Sequence, residues 1–206
     1  MKSVKLVIFD LDGVLVDACE WHRLALNRAL KKVCNYEISL AAHYSEFNGL
    51  PTKTKLQKLS SLGIIEEEDH SRVYEIKQEE TKDLIRNSSL SPDRDKIEMM
   101  EFLEAKGIYI ACCTNSIRET TELMLKKSGL GRFLELCTTN QDVNNPKPDP
   151  EGYLKTIEHF GVSKDNTVIV EDSPKGLQAA RATGCRVIQV KNATEVNFNL
   201  IQEILS

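Results

Sequence analysis

Two stretches of this chain put carboxylates where an apolar run ends. Residues 7–17 read VIFDLDGVLVD, with Asp10 and Asp12 two apart and Gly13 next, and residues 167–176 read TVIVEDSPKG, with Glu171 and Asp172 adjacent. Other polar clusters have similar settings: Thr114-Asn115-Ser116 follows the apolar run IYIACC, and Lys147 lies in NPKPDP just ahead of a helical pattern. Two apart in one strand, Asp10 and Asp12 would share a face of the sheet. A strand that ends at Asp10, with Gly13 allowing a turn, lets both face one site. Asp10, Asp12, Glu171 and Asp172 gathered there would repel one another unless a cation were present. Oxygen ligands of that kind suit a hard divalent ion, and Mg²⁺ is the expected cofactor. Such a site suits phosphate: Lys147 supplies charge, and the N–H groups and hydroxyls of residues 114–116 supply donors. The chemistry that fits is phosphoryl transfer, in which a carboxylate attacks phosphorus and water later hydrolyses the acyl phosphate.

These residues need elements that bring them together. Short apolar runs occur at VKLVIF (4–9), IYIACC (108–113), LELCT (134–138), TVIVE (167–171) and RVIQV (186–190), and helical patterns separate the later ones. That alternation predicts a parallel sheet, which binds ligands outside the carboxyl ends of its strands where the strand order reverses. Asp10, Thr114 and Asp172 fall at such ends. Ser116 and Glu119 have the spacing of a capping box that would open a helix closing near Gly129. Asp149 and Pro150 can open another, with Leu154, Ile157 and Phe160 on one face and Gly161 ending it. Residues 18–88 look helical throughout, from WHRLALNRALKKV through TKTKLQKLSSLG to EEEDHSRVYEIKQEETKDLI, and carry no strand-like run. The expected architecture is a doubly wound parallel-sheet α/β core of Rossmann-like type, residues 1–16 and 89–206, with an inserted small α-helical cap domain, residues 17–88.

Composition narrows the partners. The 206 residues are 41% hydrophobic and 28% charged, with a formal charge of -4, which offers no basic field for nucleic acid or an acidic membrane. A small phosphorylated metabolite fits better, acted on by a monomer or small homo-oligomer. The N-terminal stretch MKSVKLVIFD meets acids too soon to form a signal-peptide core, so the expected compartment is the cytoplasm. Cys112 and Cys113 read as small buried strand residues rather than catalytic ones.

Taken in order, DLDG at 10–13, Thr114-Asn115-Ser116, Lys147 in NPKPDP and Glu171-Asp172 in VEDSPKG resemble the four motifs of the haloacid dehalogenase-like hydrolase superfamily. The resemblance covers essentially the whole chain. It implies Asp10 as nucleophile and Asp12 as general acid/base. It also implies Mg²⁺ held by Asp10, the Asp12 backbone carbonyl and Asp172 with Glu171 assisting, and a phosphoryl group bound by Thr114 and Lys147. DACEWH (17–22) and GLPTKTK (49–55) are most similar to the β-phosphoglucomutase and phosphoglycolate-phosphatase-like group. His22 is then a candidate for contact with the leaving group or with Asp12, with packing at the cap hinge as the alternative. The helical insertion resembles the small cap that closes over the site and selects substrate.

The resemblance favours a phosphatase. Haloacid dehalogenases proper lack an acid at the position of Asp12. The mutase arginine of the cap loop is absent, and Thr52, Lys53 and Lys55 stand there instead, without its bidentate fork. A sugar-phosphate mutase and a non-catalytic binding protein are the alternatives. Plainer readings also apply: helix capping alone accounts for Ser116, Lys53 and Lys55 read as surface charge, and His43, His70 and His159 receive no role.

Overall fold

The run Leu6–Phe9 is buried at every position and has a parallel neighbour on each side. A strand covered on both faces needs no polar alternation, which explains its unbroken apolar character. In the computed structural model, which describes residues 3–47 and 50–205, this strand is β1 (Leu6–Phe9). Next come α1 (Cys19–Cys34), α2 (Leu40–Ala42) running into a wider turn over His43–Phe47, α3 (Thr52–Ser61) and α4 (His70–Asn87). The chain continues through α5 (Arg94–Ala105), β2 (Tyr109–Cys113), α6 (Arg118–Ser128), β3 (Leu136–Thr138) and α7 (Glu151–Phe160). It ends with β4 (Thr167–Glu171), α8 (Pro174–Ala182), β5 (Arg186–Gln189) and α9 (Phe198–Leu205). Two compact units result, Met1–Asp17 with Leu90–Ser206, and Ala18–Ser89.

The first unit is the doubly wound α/β core. Its five strands are all parallel in the order β3-β2-β1-β4-β5, with Leu6 level with both Tyr109 and Thr167. From β1 the chain adds β2 and β3 outward on one side, then returns to lay β4 and β5 on the other. The order therefore reverses between β1 and β4, and open α/β sheets take their ligands at the carboxyl ends of strands at such a point. Leu6, Ile8, Ala111, Cys113, Tyr153, Ile157 and Ile169 form one core cluster of this unit.

The second unit contains helices and no strand among its described residues. α1 packs along α4, and Leu26, Leu30, Ile38, Phe47, Leu56, Leu59 and Val73 form its core. Asn27 is buried there without penalty because its amide pairs with both backbone groups of Ile38. Gly49, the first residue of the GLPTKTK stretch, lies outside the described residues.

Several local expectations change. Ser116 and Glu119 form no capping box: α6 begins at Arg118, whose N–H is capped from outside by Gln141 Oε1 at 2.8 Å. The buried face of α7 is Tyr153, Thr156 and Ile157, while Leu154 is 36% exposed. Thr156 tolerates burial because its hydroxyl bonds Gly152 O and Thr138 Oγ1, each at 2.8 Å, so a polar residue faces the sheet where apolar periodicity favours a leucine. Lys55, read as surface charge, is buried, as is His43. α5 and α9 are additional to the helices the sequence patterns pick out. Among the described residues no helix is long and apolar enough to cross a membrane.

Candidate active site

β1 ends at Phe9, and the next residue, Asp10, is buried with its N–H bonded to Val170 O at 3.0 Å. The chain then turns back on itself through Gly13 N–H to Val16 O at 2.7 Å and Val16 N–H to Leu11 O at 2.9 Å. Gly13 has a φ of +94°, and a Cβ there would stand 2.2 Å from Asp172 Oδ2. Only glycine therefore permits both this turn and the approach of Asp172. The turn directs the Asp12 carboxylate to the carboxyl end of β2, where Ser116 Oγ donates to Asp12 Oδ2 at 2.6 Å and Thr114 Oγ1 at 3.5 Å. The Ser116 hydroxyl is thus committed to Asp12 rather than to a helix cap.

Lys147 enters from the loop before α7. Its Nζ donates to Asp10 Oδ1 at 2.6 Å, Glu171 Oε1 at 2.7 Å and the Cys113 carbonyl at 2.8 Å. Its backbone is held by Asn115, whose Nδ2 donates to Lys147 O at 3.1 Å while Oδ1 accepts from Lys147 N–H at 3.0 Å. The Asn115 side chain therefore holds the loop, and its second Nδ2–H and its backbone N–H are left to serve the expected phosphate contact. The Lys147–Pro148 peptide is cis.

Glu171 is fully buried and both its oxygens are engaged. Oε1 accepts from Lys147 Nζ and from Tyr153 Oη, and Oε2 accepts from the N–H groups of Asp172 and Ser173 and from Ser173 Oγ. A Cβ on Gly176 would lie 1.6 Å from Glu171 Oε1, so the first turn of α8 carries a glycine where that carboxylate rests against it. Tyr153, Ser173 and Gly176 are working parts of this corner that reading the sequence missed. The available signals were the glycine two residues before Tyr153's turn neighbour Leu154 and the one five residues after Glu171.

The electrostatics follow from burial. Desolvation pushes Asp10 well above the usual carboxylate range, Lys147 pulls it back only in part, and Glu171 and Asp12 push it further up. Burial opposes the Lys147 ammonium, but Asp10, Tyr153 and Glu171 outweigh it and hold Lys147 charged. Asp172 is raised to about 6 by burial and by its neighbour Glu171. Asp10, Glu171 and Asp172 offer oxygens that all lie within 4.8 Å of one another, and Asp172 Oδ1 is buried without a hydrogen-bond partner. An orphaned acceptor beside converging carboxylates fits a hard cation, and Mg²⁺ matches this all-oxygen donor set. The Glu171 oxygens already hold protein donors, so Asp10 and Asp172 are the residues that could hold such an ion directly.

The remaining expected residues lie in the helical unit. His22, on α1, has Nδ1 3.4 Å from Lys77 Nζ. Thr52 opens α3 and Lys53 is exposed beside it.

A doubly wound parallel sheet with acids, a lysine and hydroxyls gathered at its switch point defines a class of α/β hydrolase. The chain belongs to the haloacid dehalogenase-like hydrolase family, which it matches over residues 7–190. It is 30% identical to a phosphoglycolate phosphatase of Nitrosospira multiformis, over 91% of this chain and 83% of that one. It is 28% identical to a phosphorylated carbohydrates phosphatase of Thermotoga maritima, over 86% and 81% respectively. The crystal structure of a β-phosphoglucomutase from Clostridium difficile superposes with a TM-score of 0.79 at 20% identity, over 97% of this chain and 96% of that one. This protein is an enzyme of the family's phosphatase kind.

Proposed function

We propose that the protein hydrolyses a small phosphomonoester with Mg²⁺ bound at Asp10, the Asp12 carbonyl and Asp172, through an aspartyl-phosphate on Asp10. The observation that carries this reading is the buried Asp10 carboxylate at the switch point, touched by Lys147 and close to the Asp172 carboxylate, one oxygen of which is buried without a partner. In the first step a carboxylate oxygen of Asp10 attacks phosphorus and the ester P–O bond breaks. The Asp12 carboxyl gives its proton to the departing alkoxide. In the second step Asp12 takes a proton from water as that water attacks phosphorus, and inorganic phosphate leaves with Asp10 restored. Bound Mg²⁺ would supply charge to offset the negative phosphoryl oxygens. Lys147 neutralises the same charge, and the Thr114 and Ser116 hydroxyls hold Asp12 in line for both proton transfers.

His22, Thr52 and Lys53 are our candidates for selecting the leaving group, which we take to be part of a small phosphorylated metabolite. The test is phosphate release from a panel of phosphomonoesters, with and without Mg²⁺, in wild type and Asp10→Asn. Metal-dependent release that the substitution abolishes supports the reading. Isomerisation of a hexose phosphate outrunning phosphate release, with a bisphosphate activator present, would replace it with a mutase.

A further inference from the structure

Three acceptors use the three N–H bonds of the Lys147 ammonium, and a fourth neighbour meets it without using any. Tyr153, in the first turn of α7, is fully buried and presents its ring to Lys147, with Nζ 4.5 Å from the ring centroid. That distance is within cation–π range. The Tyr153 hydroxyl donates to Glu171 Oε1 at 3.0 Å, the oxygen that also accepts from Lys147 Nζ at 2.7 Å. Burial pushes the phenol well above its ordinary pKa, so it stays a donor.

Tyr153 is itself well anchored. α7 is tied to β3 by the Thr156–Thr138 hydroxyl pair at 2.8 Å. Its entry is capped by Asp149 Oδ1, which accepts from Glu151 N–H at 2.9 Å. The Glu151 carboxylate in turn accepts from the N–H groups of Asn144 and Asn145. Tyr153 therefore forms a fixed floor beneath a lysine whose backbone Asn115 pins separately.

We propose that Tyr153 is a positioning residue for the phosphoryl-binding role of Lys147. A phosphoryl oxygen can bind Nζ only if one N–H bond turns away from its present acceptor. An aromatic face attracts the ammonium whichever way its N–H bonds point, so the ring keeps Nζ in place while it turns. The hydroxyl holds Glu171 Oε1, which keeps a second direction of the ammonium fixed. Tyr153 touches no substrate. This inference rests on Lys147 binding the phosphoryl group.

Inorganic phosphate at fixed Mg²⁺ is the probe, read as competitive inhibition of p-nitrophenyl phosphate hydrolysis and as a rise in the unfolding midpoint. Tyr153→Phe keeps the ring and loses the hydroxyl, and should weaken phosphate inhibition about three- to tenfold. Tyr153→Leu removes the ring as well and should weaken it at least about threefold more. Asn27→Ala unpairs the Ile38 backbone in the helical unit, away from α7 and Lys147, and should lower the midpoint while leaving phosphate inhibition at the wild-type value. If phosphate inhibits Tyr153→Phe as it does wild type, or if Asn27→Ala weakens phosphate inhibition as much as Tyr153→Phe does, the proposal is overturned and Tyr153 only supports the fold. If Lys147→Ala binds phosphate like wild type, the reading of Lys147 fails instead, a separate result. Should Tyr153→Leu not fold, the Tyr153→Phe and Asn27→Ala variants still decide the matter.

Discussion

Asn27 and Asn115 make the same pair of bonds in different units. Asn27 donates to Ile38 O at 2.9 Å and accepts from Ile38 N–H at 3.1 Å; Asn115 donates to Lys147 O at 3.1 Å and accepts from Lys147 N–H at 3.0 Å. The first clamps an isoleucine into an apolar core, and the second clamps a lysine whose ammonium touches two buried carboxylates. One local device thus serves stability in the helical unit and charge placement in the α/β unit. What decides between them is the side chain that the clamped residue carries. Two charge clusters also differ. Around Asp10 the charges are excluded from water and satisfy one another, whereas Glu80 of the helical unit meets Arg28 and Lys32 at the surface.

The contrast is sharpest at Lys147. Lys147→Ala should cost about 10²–10³-fold in phosphate release, the scale seen when one preorganised charge donor is removed from a site. It should also lower stability by about 3–5 kcal/mol, because Asp10 and Glu171 lose their buried counter-ion. Steady-state kinetics and urea unfolding read the two effects, and a variant that kept full activity would break the distinction between the units.

The asparagine pair comes next. Asn115→Ala lets Lys147 drift, so activity should fall about 10- to 100-fold. Asn27→Ala leaves the Ile38 backbone groups buried and unpaired, so it should cost about 1–3 kcal/mol of stability with kcat per folded molecule unchanged. Equal losses of kcat in both variants would erase the contrast.

Acid should separate the units in opposite senses. Burial and Glu171 raise Asp172 from 3.8 to about 6, so protonation favours the fold and its contribution grows as pH falls from about 6 towards 4. Burial, with Lys55 and Arg23, lowers His43 from 6.5 to about 4, so protonation disfavours the fold. That stability is complete above 6.5 and is lost as pH falls towards 4. Hydrogen-exchange protection measured at about pH 7.5 and about pH 5 should therefore fall first in α1–α4. Earlier loss in the sheet would run against it. The smallest effect belongs to the surface pair: Glu80→Ala should change the unfolding free energy by less than about 1 kcal/mol, and the change should shrink further in high salt.

Much of this was legible because it is local. Five apolar runs with glycine and proline punctuation became five parallel strands, and the chemistry-bearing residues Asp10, Thr114, Glu171 and Asp172 stand at their carboxyl ends. Where local rules misled, a distant partner had won. Ser116 had the spacing of a cap but gave its hydroxyl to Asp12, 104 residues away. Leu154 matched the apolar period of α7, yet Tyr153 and Thr156 took the buried face because Glu171 and Thr138 bond their hydroxyls. Lys55 is buried in the helical unit, although short-range pattern marks it only as a charge on a helix.

The sequence by itself determined which residue types end each strand, and hence the chemistry available. Propensity, periodicity and turn formation depend on neighbours a few positions apart. The tertiary structure alone decided how those residues are shared out: Ser116 to Asp12, Asn115 to the Lys147 backbone, and Tyr153 to Glu171 and the lysine above it. Those choices depend on which polar groups are buried side by side once the strands are in order. A buried donor must find its acceptor wherever in the chain that acceptor lies.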